Sequence, residues 1–393
     1  MAELNQLHHN PNIPQDLIFS EVLSRLPVKS LCRFKSVSKH WNSQISTPQF
    51  AKYHFARTLL DPFVPSSICL FMKSIRLYNN TDPNGPDPST QVADHVIEVD
   101  GIDGNGRKPS VKFLVKDNYC GSMQDRSFLI GSCNGLVCVV TYSTGRIVAD
   151  NFHVYNPIIS RYRRTENVVQ DLSVSGFGYV RKLDDYRIVT FCMSKHGVDT
   201  LVYVYSLGSG EWRTLVGIHD YQFQVCHGNG VYVSDSMYYL VTLRSDPSEK
   251  YIVRFDLVDE KVSLIWMPYS EFGKYGCRLC VTDGSLCVWE ETDVVANVEL
   301  WRLECSDRGD YWTKLVRLDG VRFHLLGGGG NFLYLDEKRL IYFDPYTVKF
   351  VELGKNKLKH VPLLEGLGGA QVVNYVPTLV SPLADSDLQT DRL

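Results

Sequence analysis

Apolar and polar positions change their period near residue 60. Before it the spacing is helical. Leu17, Ile18, Phe19, Val22, Leu23 and Leu26 make two adjoining stripes, Ile18, Val22 and Leu26 in one and Phe19, Leu23 and Leu26 in the other. Pro14 suits a first helical turn, Asp16 its positive end and Pro27 its stop, which predicts a helix from Pro14 to about Arg25 or Leu26. A second helix is predicted around Val28 to Lys35, with Leu31 and Phe34, and a third around Ser38 to Ile45, with Trp41 and Ile45. Thr47-Pro48 reads as N-cap and first residue of a fourth, running through Phe50, Tyr53 and Phe55. The predicted divisions are a flexible tail over 1–12, a helical segment over 13–58, a β domain over 59–380 and a C-terminal tail over 381–393.

After residue 60 the pattern is short alternating runs of Val, Tyr, Phe and Leu broken by Gly, Asp, Asn and Pro, which is the all-β pattern. One segment recurs. Tyr155-Asn156-Pro157 leads to Tyr162, Tyr205-Ser206-Leu207 to Trp212, Phe255-Asp256-Leu257 to Val262 and Phe343-Asp344-Pro345 to Phe350, each time seven residues on. Trp301-Arg302-Leu303 leads to Trp312 with a longer turn. Each copy reads as a hairpin with apolar residues pointing inward on both arms. Glycine-led strands precede most copies, at Asn134-Gly135, Asn229-Gly230, Asp283-Gly284 and Gly330-Asn331. Four-stranded blades of a propeller follow from this repeat. Five are visible; residues 63–115 supply a sixth, and a strand near Val372 to Val376 is predicted to close the ring against it.

Composition narrows the function. A formal net charge of -3 argues against a nucleic-acid binder, and no apolar run reaches membrane-spanning length. The first residues carry no signal-peptide pattern, so the 11 cysteines are expected as buried free thiols, in a cytoplasmic or nuclear protein. The helical segment has more apolar surface than a small bundle hides, and the surplus either packs on the rest of the chain or forms a partner site. Seven Lys or Arg and no acid between Val22 and Arg57 give it a basic rim suited to an acidic partner.

Ile13-Pro14-x-Asp16-Leu17, Val22-Leu23-x-x-Leu26-Pro27-Val28-Lys29-Ser30-Leu31 and Phe34-Lys35-x-Val37-Ser38-Lys39-x-Trp41-x3-Ile45 together resemble the F-box, particularly its plant form. The resemblance implies docking on a Skp-type adaptor of a cullin ubiquitin ligase. By position it puts Pro14, Leu17, Leu26, Pro27, Val28 and Leu31 at or near the adaptor, with Val22, Phe34, Val37, Trp41 and Ile45 in the F-box core. Gly131 to Cys138, Tyr155-Asn156-Pro157, Gly176-Phe177-Gly178-Tyr179, Glu211-Trp212-Arg213 and Tyr375-Val376-Pro377 resemble the F-box-associated domain, a kelch-like propeller. The expected architecture is therefore a multidomain α plus all-β chain, an F-box followed by a kelch-like β-propeller of about six blades.

Catalytic patterns are missing. There is no G-x-S-x-G, H-E-x-x-H or phosphate-cradling loop, and the Gly327 to Gly330 run lacks the Lys that would complete one. Cys277-x-x-Cys280 has no second pair at zinc spacing, and Asp184-Asp185 reads as a turn whose carboxylates take local backbone bonds. No cofactor or metal is expected, and no enzymatic activity. The implied role is a receptor that holds the adaptor through the F-box and an unknown protein substrate through propeller loops such as 79–90, 101–109 and 245–249. A non-degradative scaffold and a ligand-binding propeller remain as alternatives.

Overall fold

The computed structural model describes residues 14–60, 68–77, 90–100, 110–118, 126–142, 149–166, 173–193, 200–218, 223–225, 229–243, 245–269, 273–274, 276–292, 297–306, 309–318, 333–335, 339–343, 347–352, 357–362 and 367–382. The glycine run at 327–330 and the loops 79–89 and 101–109 lie outside them.

Helices occupy the N-terminal part. The expected first helix is three joined segments: an α-turn at Gln15–Leu17, a wider π-turn at Ile18–Val22 and a tight 3-10 turn at Leu23–Arg25. The Ser20 carbonyl accepts hydrogen bonds from side chains: Ser24 Oγ at 2.5 Å and the Arg57 guanidinium. Such competition with the i→i−4 ladder is a recognised cause of irregular turns. Helices Val28–Phe34, Lys39–Ile45 and Pro48–Leu60 follow. Ser38 Oγ accepts from Trp41 N at 3.1 Å and Thr47 Oγ1 from Phe50 N at 3.2 Å, so both N-caps act through their hydroxyls.

Among the described residues the β domain holds six antiparallel sheets. The first joins Ile68–Leu77, Thr90–Asp100 and Ser110–Asn118 to the C-terminal strand Leu367–Asn374. The second contains Arg126–Cys133, Leu136–Tyr142, Ala149–Asn156 and Arg161–Glu166, and the third Ser173–Val180, Asp185–Met193, Thr200–Ser206 and Trp212–Ile218. The fourth is built on Ser236–Leu243, Asp246–Asp256 and Val262–Trp266, with Phe223–Val225 and Val231–Val233 both paired to the first of these. The fifth contains Cys277–Thr282, Ser285–Glu291, Val298–Glu304 and Tyr311–Leu318, and the sixth Leu333–Leu335, Arg339–Phe343, Thr347–Glu352 and Lys357–Pro362. Leading strands touch in sequence, Leu367–Asn374 against Arg126–Cys133, then Ser173–Val180, Val231–Val233, Cys277–Thr282 and Leu333–Leu335. This is a β-propeller of six blades.

Ring closure is made by the C-terminal strand, which pairs antiparallel with Ile68–Leu77, Met72 opposite Val372. The expectation of a closing strand near Val372 is met.

The core lies between blades, and strand alternation builds it. Leu136, Cys138 and Val140 pack with Phe177, Ile188 and Tyr205 of the third blade. The intervening Val137 and Val139 pack with Phe71 and Val96 of the first. The same division holds for Met237, Tyr239 and Val241 against Tyr238 and Leu240, and for Leu286 and Val288 against Cys287 and Trp289. A strand covered on both faces reads as an unbroken apolar run. Each fully buried side chain of this size contributes about 1.5–3 kcal/mol.

The recurring aromatic has a place in this scheme: Tyr155 packs against the first blade, Tyr205 against the second, Phe255 against the third and Trp301 against the fourth. Tyr155 pairs with Tyr162, Tyr205 with Trp212 and Phe255 with Val262, as the seven-residue spacing predicts. Two expectations need correction. The last copies are offset by two, with Phe350 opposite Ile341 and Trp312 opposite Leu303. The second arm also does not turn inward throughout. It is the outermost strand of its blade, so Tyr162 is 58% exposed although its partner Tyr155 is buried.

Candidate functional site

The helical unit sits on the propeller face that carries the first-to-second and third-to-fourth strand turns. Leu23, Val28, Leu31, Ile45, Phe50 and Ala51 form one buried cluster with Leu379 from the C-terminal segment, and Ile158 and Ile159 from a second-blade turn pack against it. Phe19 meets Trp41 and Phe50 edge-on at 5.9 and 6.3 Å, and Phe34 meets Trp41 at 5.8 Å. His54 is buried in this unit, Nε2 2.8 Å from the Leu26 carbonyl, and burial holds its pKa below the ordinary value.

The sequence-derived site residues divide under this packing. Pro14 and Pro27 are exposed, Leu17 is 50% exposed and Leu26 is half-buried. Val28 and Leu31 are buried, so they belong to the internal cluster and leave the free surface. Their three-residue spacing puts both on the inward stripe of the short Val28–Phe34 helix. Ile45 is fully buried, and Phe34 and Trp41 are partly buried against it. Val22 and Val37, expected in the core, are 52% and 58% exposed. Val22 lies where the π-turn gives way to the 3-10 turn, which rotates it off the helical stripe. Val37 lies in the turn after Phe34, with its N–H on the Phe34 carbonyl. An exposed apolar set of Pro14, Leu17, Val22, Pro27 and Val37 results.

Part of the basic rim is paired within the chain. Glu21 takes Arg25 at 3.0 Å and Arg57 at 3.4 Å, and those guanidiniums hold its carboxyl below the usual range. Lys52 forms an ion pair with Asp184 of the third blade. Lys35 and Lys39 line a 1290 Å³ cleft between the helices and the propeller. Lys29, Arg33 and Lys39 are exposed, as are Arg25 and Lys52 within their ion pairs.

Asp184-Asp185 lies at the turn between two strands as expected, but its carboxylates take partners other than the local backbone. Asp184 is in left-handed conformation after a 3-10 turn, and its carboxylate accepts from the Tyr179 hydroxyl at 2.5 Å as well as from Lys52. Asp185 accepts from Gly208 N at 2.8 Å. Lys52 and Gly208 are distant in sequence, so a local turn reading had no means of finding them.

Cys277 and Cys280 fall on opposite faces of one strand, one in the core toward the fourth blade and the other in the core toward the sixth. Among the described residues no group of three or more His, Cys, Asp or Glu is placed to hold a metal ion. No described helix is long and apolar enough to cross a membrane. Residues 245–249, expected as a loop, are mostly strand, with Asp246 paired to Leu243.

The junction between the two parts rests on a residue that sequence reasoning recorded only as a landmark. Asn156 is fully buried; its Nδ2 donates to the carbonyls of Thr378 at 2.9 Å and Val380 at 2.8 Å. Its Oδ1 accepts from Ile158 N at 2.9 Å and from the Tyr375 hydroxyl at 3.2 Å.

Two family profiles agree with this architecture. The F-box domain profile matches residues 11–53 and the F-box associated beta propeller domain profile matches residues 90–382. An F-box/kelch-repeat protein of Arabidopsis thaliana is 24% identical over 402 residues, covering 94% of this chain and 96% of its own. An F-box protein of the same plant is 26% identical over 336 residues, covering 80% and 75%. Among solved structures, TolB from Acinetobacter baumannii superposes with a TM-score of 0.45 at 8% identity, covering 83% of this chain and 71% of its own.

Proposed function

The chain belongs to the family of F-box proteins with an F-box-associated β-propeller domain, and on that premise we propose that it is a substrate receptor of a Skp–cullin–F-box ubiquitin ligase. The observation that carries the reading is the exposed apolar set on an otherwise folded F-box. Pro14, Leu17, Val22, Pro27 and Val37 stay uncovered while the rest of the unit is packed against itself and the propeller. Exposed apolar surface flanked by Lys29 and Arg33 suits an adaptor with an apolar groove and acidic margins.

The mechanism is positional. The F-box holds the adaptor, the propeller holds a target protein, and the ligase's other subunits transfer ubiquitin to a lysine kept at high local concentration. In each blade the second strand ends, and the third begins, toward the face opposite the F-box. That face is the reading surface, because the F-box and the C-terminal segment occupy the other. No residue of this chain is assigned a catalytic role, and we propose that the protein works in the cytoplasm or nucleus.

The test is a binding titration of the full chain with a purified Skp-type adaptor, wild type beside L17A/P27A. Truncating an interface anchor typically costs about 2 kcal/mol, so Kd is expected to rise roughly thirtyfold or more with the melting temperature unchanged. Absence of binding by folded wild type would refute the receptor reading.

A further inference from the structure

We propose that residues 375–382 form a strap that locks the F-box to the propeller in one orientation, with Asn156 and Leu379 as its positioning residues. The strap follows directly on the strand that closes the ring. Tyr375 is buried, and its N–H donates to the Cys69 carbonyl of the first blade at 2.9 Å. Thr378 is fully buried; its hydroxyl donates to the Asn134 carbonyl of the second blade at 3.1 Å. Asn156 holds the carbonyls on either side of Leu379, which presents that side chain to the F-box. Leu379 is 5% exposed and joins the cluster of Leu23, Val28, Leu31 and Ile45. The F-box core is therefore completed by a residue more than three hundred positions away, carried in by the segment that finishes the propeller.

Two domains joined only by a chain connection swing relative to one another unless a well-packed interface prevents it. Here the interface has an apolar plug, a buried amide that satisfies the plug's backbone and an ion pair at the rim between Lys52 and Asp184. It also has a formation order. The strap reaches its seat only when the C-terminal strand has closed the ring, so the rigid receptor geometry belongs to the completed chain alone. The consequence for ubiquitin transfer, a fixed distance between adaptor and substrate face, rests on the receptor reading; the rigidity of the junction does not.

Pulsed electron paramagnetic resonance on the full chain measures the rigidity. Noncanonical amino acids carry spin labels at Arg33 of the F-box and Ser263 of the fourth blade, both exposed. Wild type and L379M are expected to give one narrow distance distribution. L379D and N156A are expected to broaden it at least about twofold, the motion anticipated of unlocked domains. Asn156 lies in the propeller, outside the F-box cluster, so N156A decides the matter if L379D unfolds the F-box. A broad distribution in wild type, or a narrow one in N156A, would overturn the proposal. Loss of adaptor binding by N156A would overturn it too, because the strap would then maintain the F-box fold and not its orientation. Failure of wild type to bind the adaptor strikes the receptor reading and leaves the distances interpretable.

Discussion

At the scale of single residues, two positions show how local chemistry decides stability. Gly135 has φ of +78°, following Asn134 at +49°, in the two-residue turn that joins Cys133 to Leu136. Both residues in the left-handed region define the hairpin turn that matches strand twist, and glycine takes the second place without strain. A Cβ there would overlap the Thr378 hydroxyl and lie 2.7 Å from the Val376 carbonyl oxygen. G135A is expected to lose about 1–3 kcal/mol in denaturant unfolding, from strain plus displacement of the strap. His153 supplies a pH dependence. Burial, then the charges of Arg164 and Lys73, push its pKa down to about 4. The unfolded chain binds that proton near the ordinary value of about 6.5, so between these limits it holds more protons than the native state. Stability is therefore full above about pH 6.5 and falls as the pH drops toward about 4. His54 adds in the same direction. Thermal melts from pH 7 to 5 should show a falling midpoint, and H153Q should flatten part of the fall.

Elements show where sequence patterns speak and where they stop. The third-to-fourth hairpin was legible because its chemistry repeats. Asn156, Ser206 and Asp256 each accept a backbone N–H from within the turn, and Ser160, Gly210 and Glu260 each take positive φ at its end. Helix starts at Ser38 and Thr47 were legible for the same reason, a hydroxyl beside a free N–H. The interior of the first helical segment was not. Its apolar stripes suit a regular α-helix, and the Arg57 guanidinium from the fourth helix, together with Ser24 Oγ, takes the Ser20 carbonyl out of the regular ladder. The short Val28–Phe34 helix gives a test at this scale. Leu31 is fully buried, so L31A should destabilise the F-box by about 2–5 kcal/mol, whereas L17A, at an exposed position, should leave its melting unchanged. Separate losses of hydrogen-exchange protection in this helix distinguish the two.

For the whole molecule, ring closure couples the ends of the β domain. Val372 of the closing strand is 3% exposed and pairs with Met72 of the first blade. V372D places an unpaired carboxylate at that seam and should lower the unfolding free energy by about 3 kcal/mol or more. The unfolding transition should broaden with it, as the first blade loses its cooperative link to the rest; a sharp, unshifted transition would mean that closure adds little. The same seam feeds the strap, so damage at residue 372 is expected to reach the F-box as well.

What the amino-acid sequence determined by itself is what depends on near neighbours: helices before residue 60, strands after it, the turns between them, and a repeat whose aromatic wedges set about six blades. Those features follow from backbone preference and side-chain period, which act over a few residues. The tertiary structure alone decided which apolar residues of the F-box stay exposed. Val28 and Leu31 are covered and Val22 and Val37 are not, because the F-box is seated with Leu379, Ile158 and Ile159 against its cluster. It also decided that much of the basic rim faces the cleft or Glu21 and Asp184. Burial and pairing at such a junction depend on surfaces contributed by residues far apart in the chain, and no local pattern of hydrophobic and polar positions encodes that meeting.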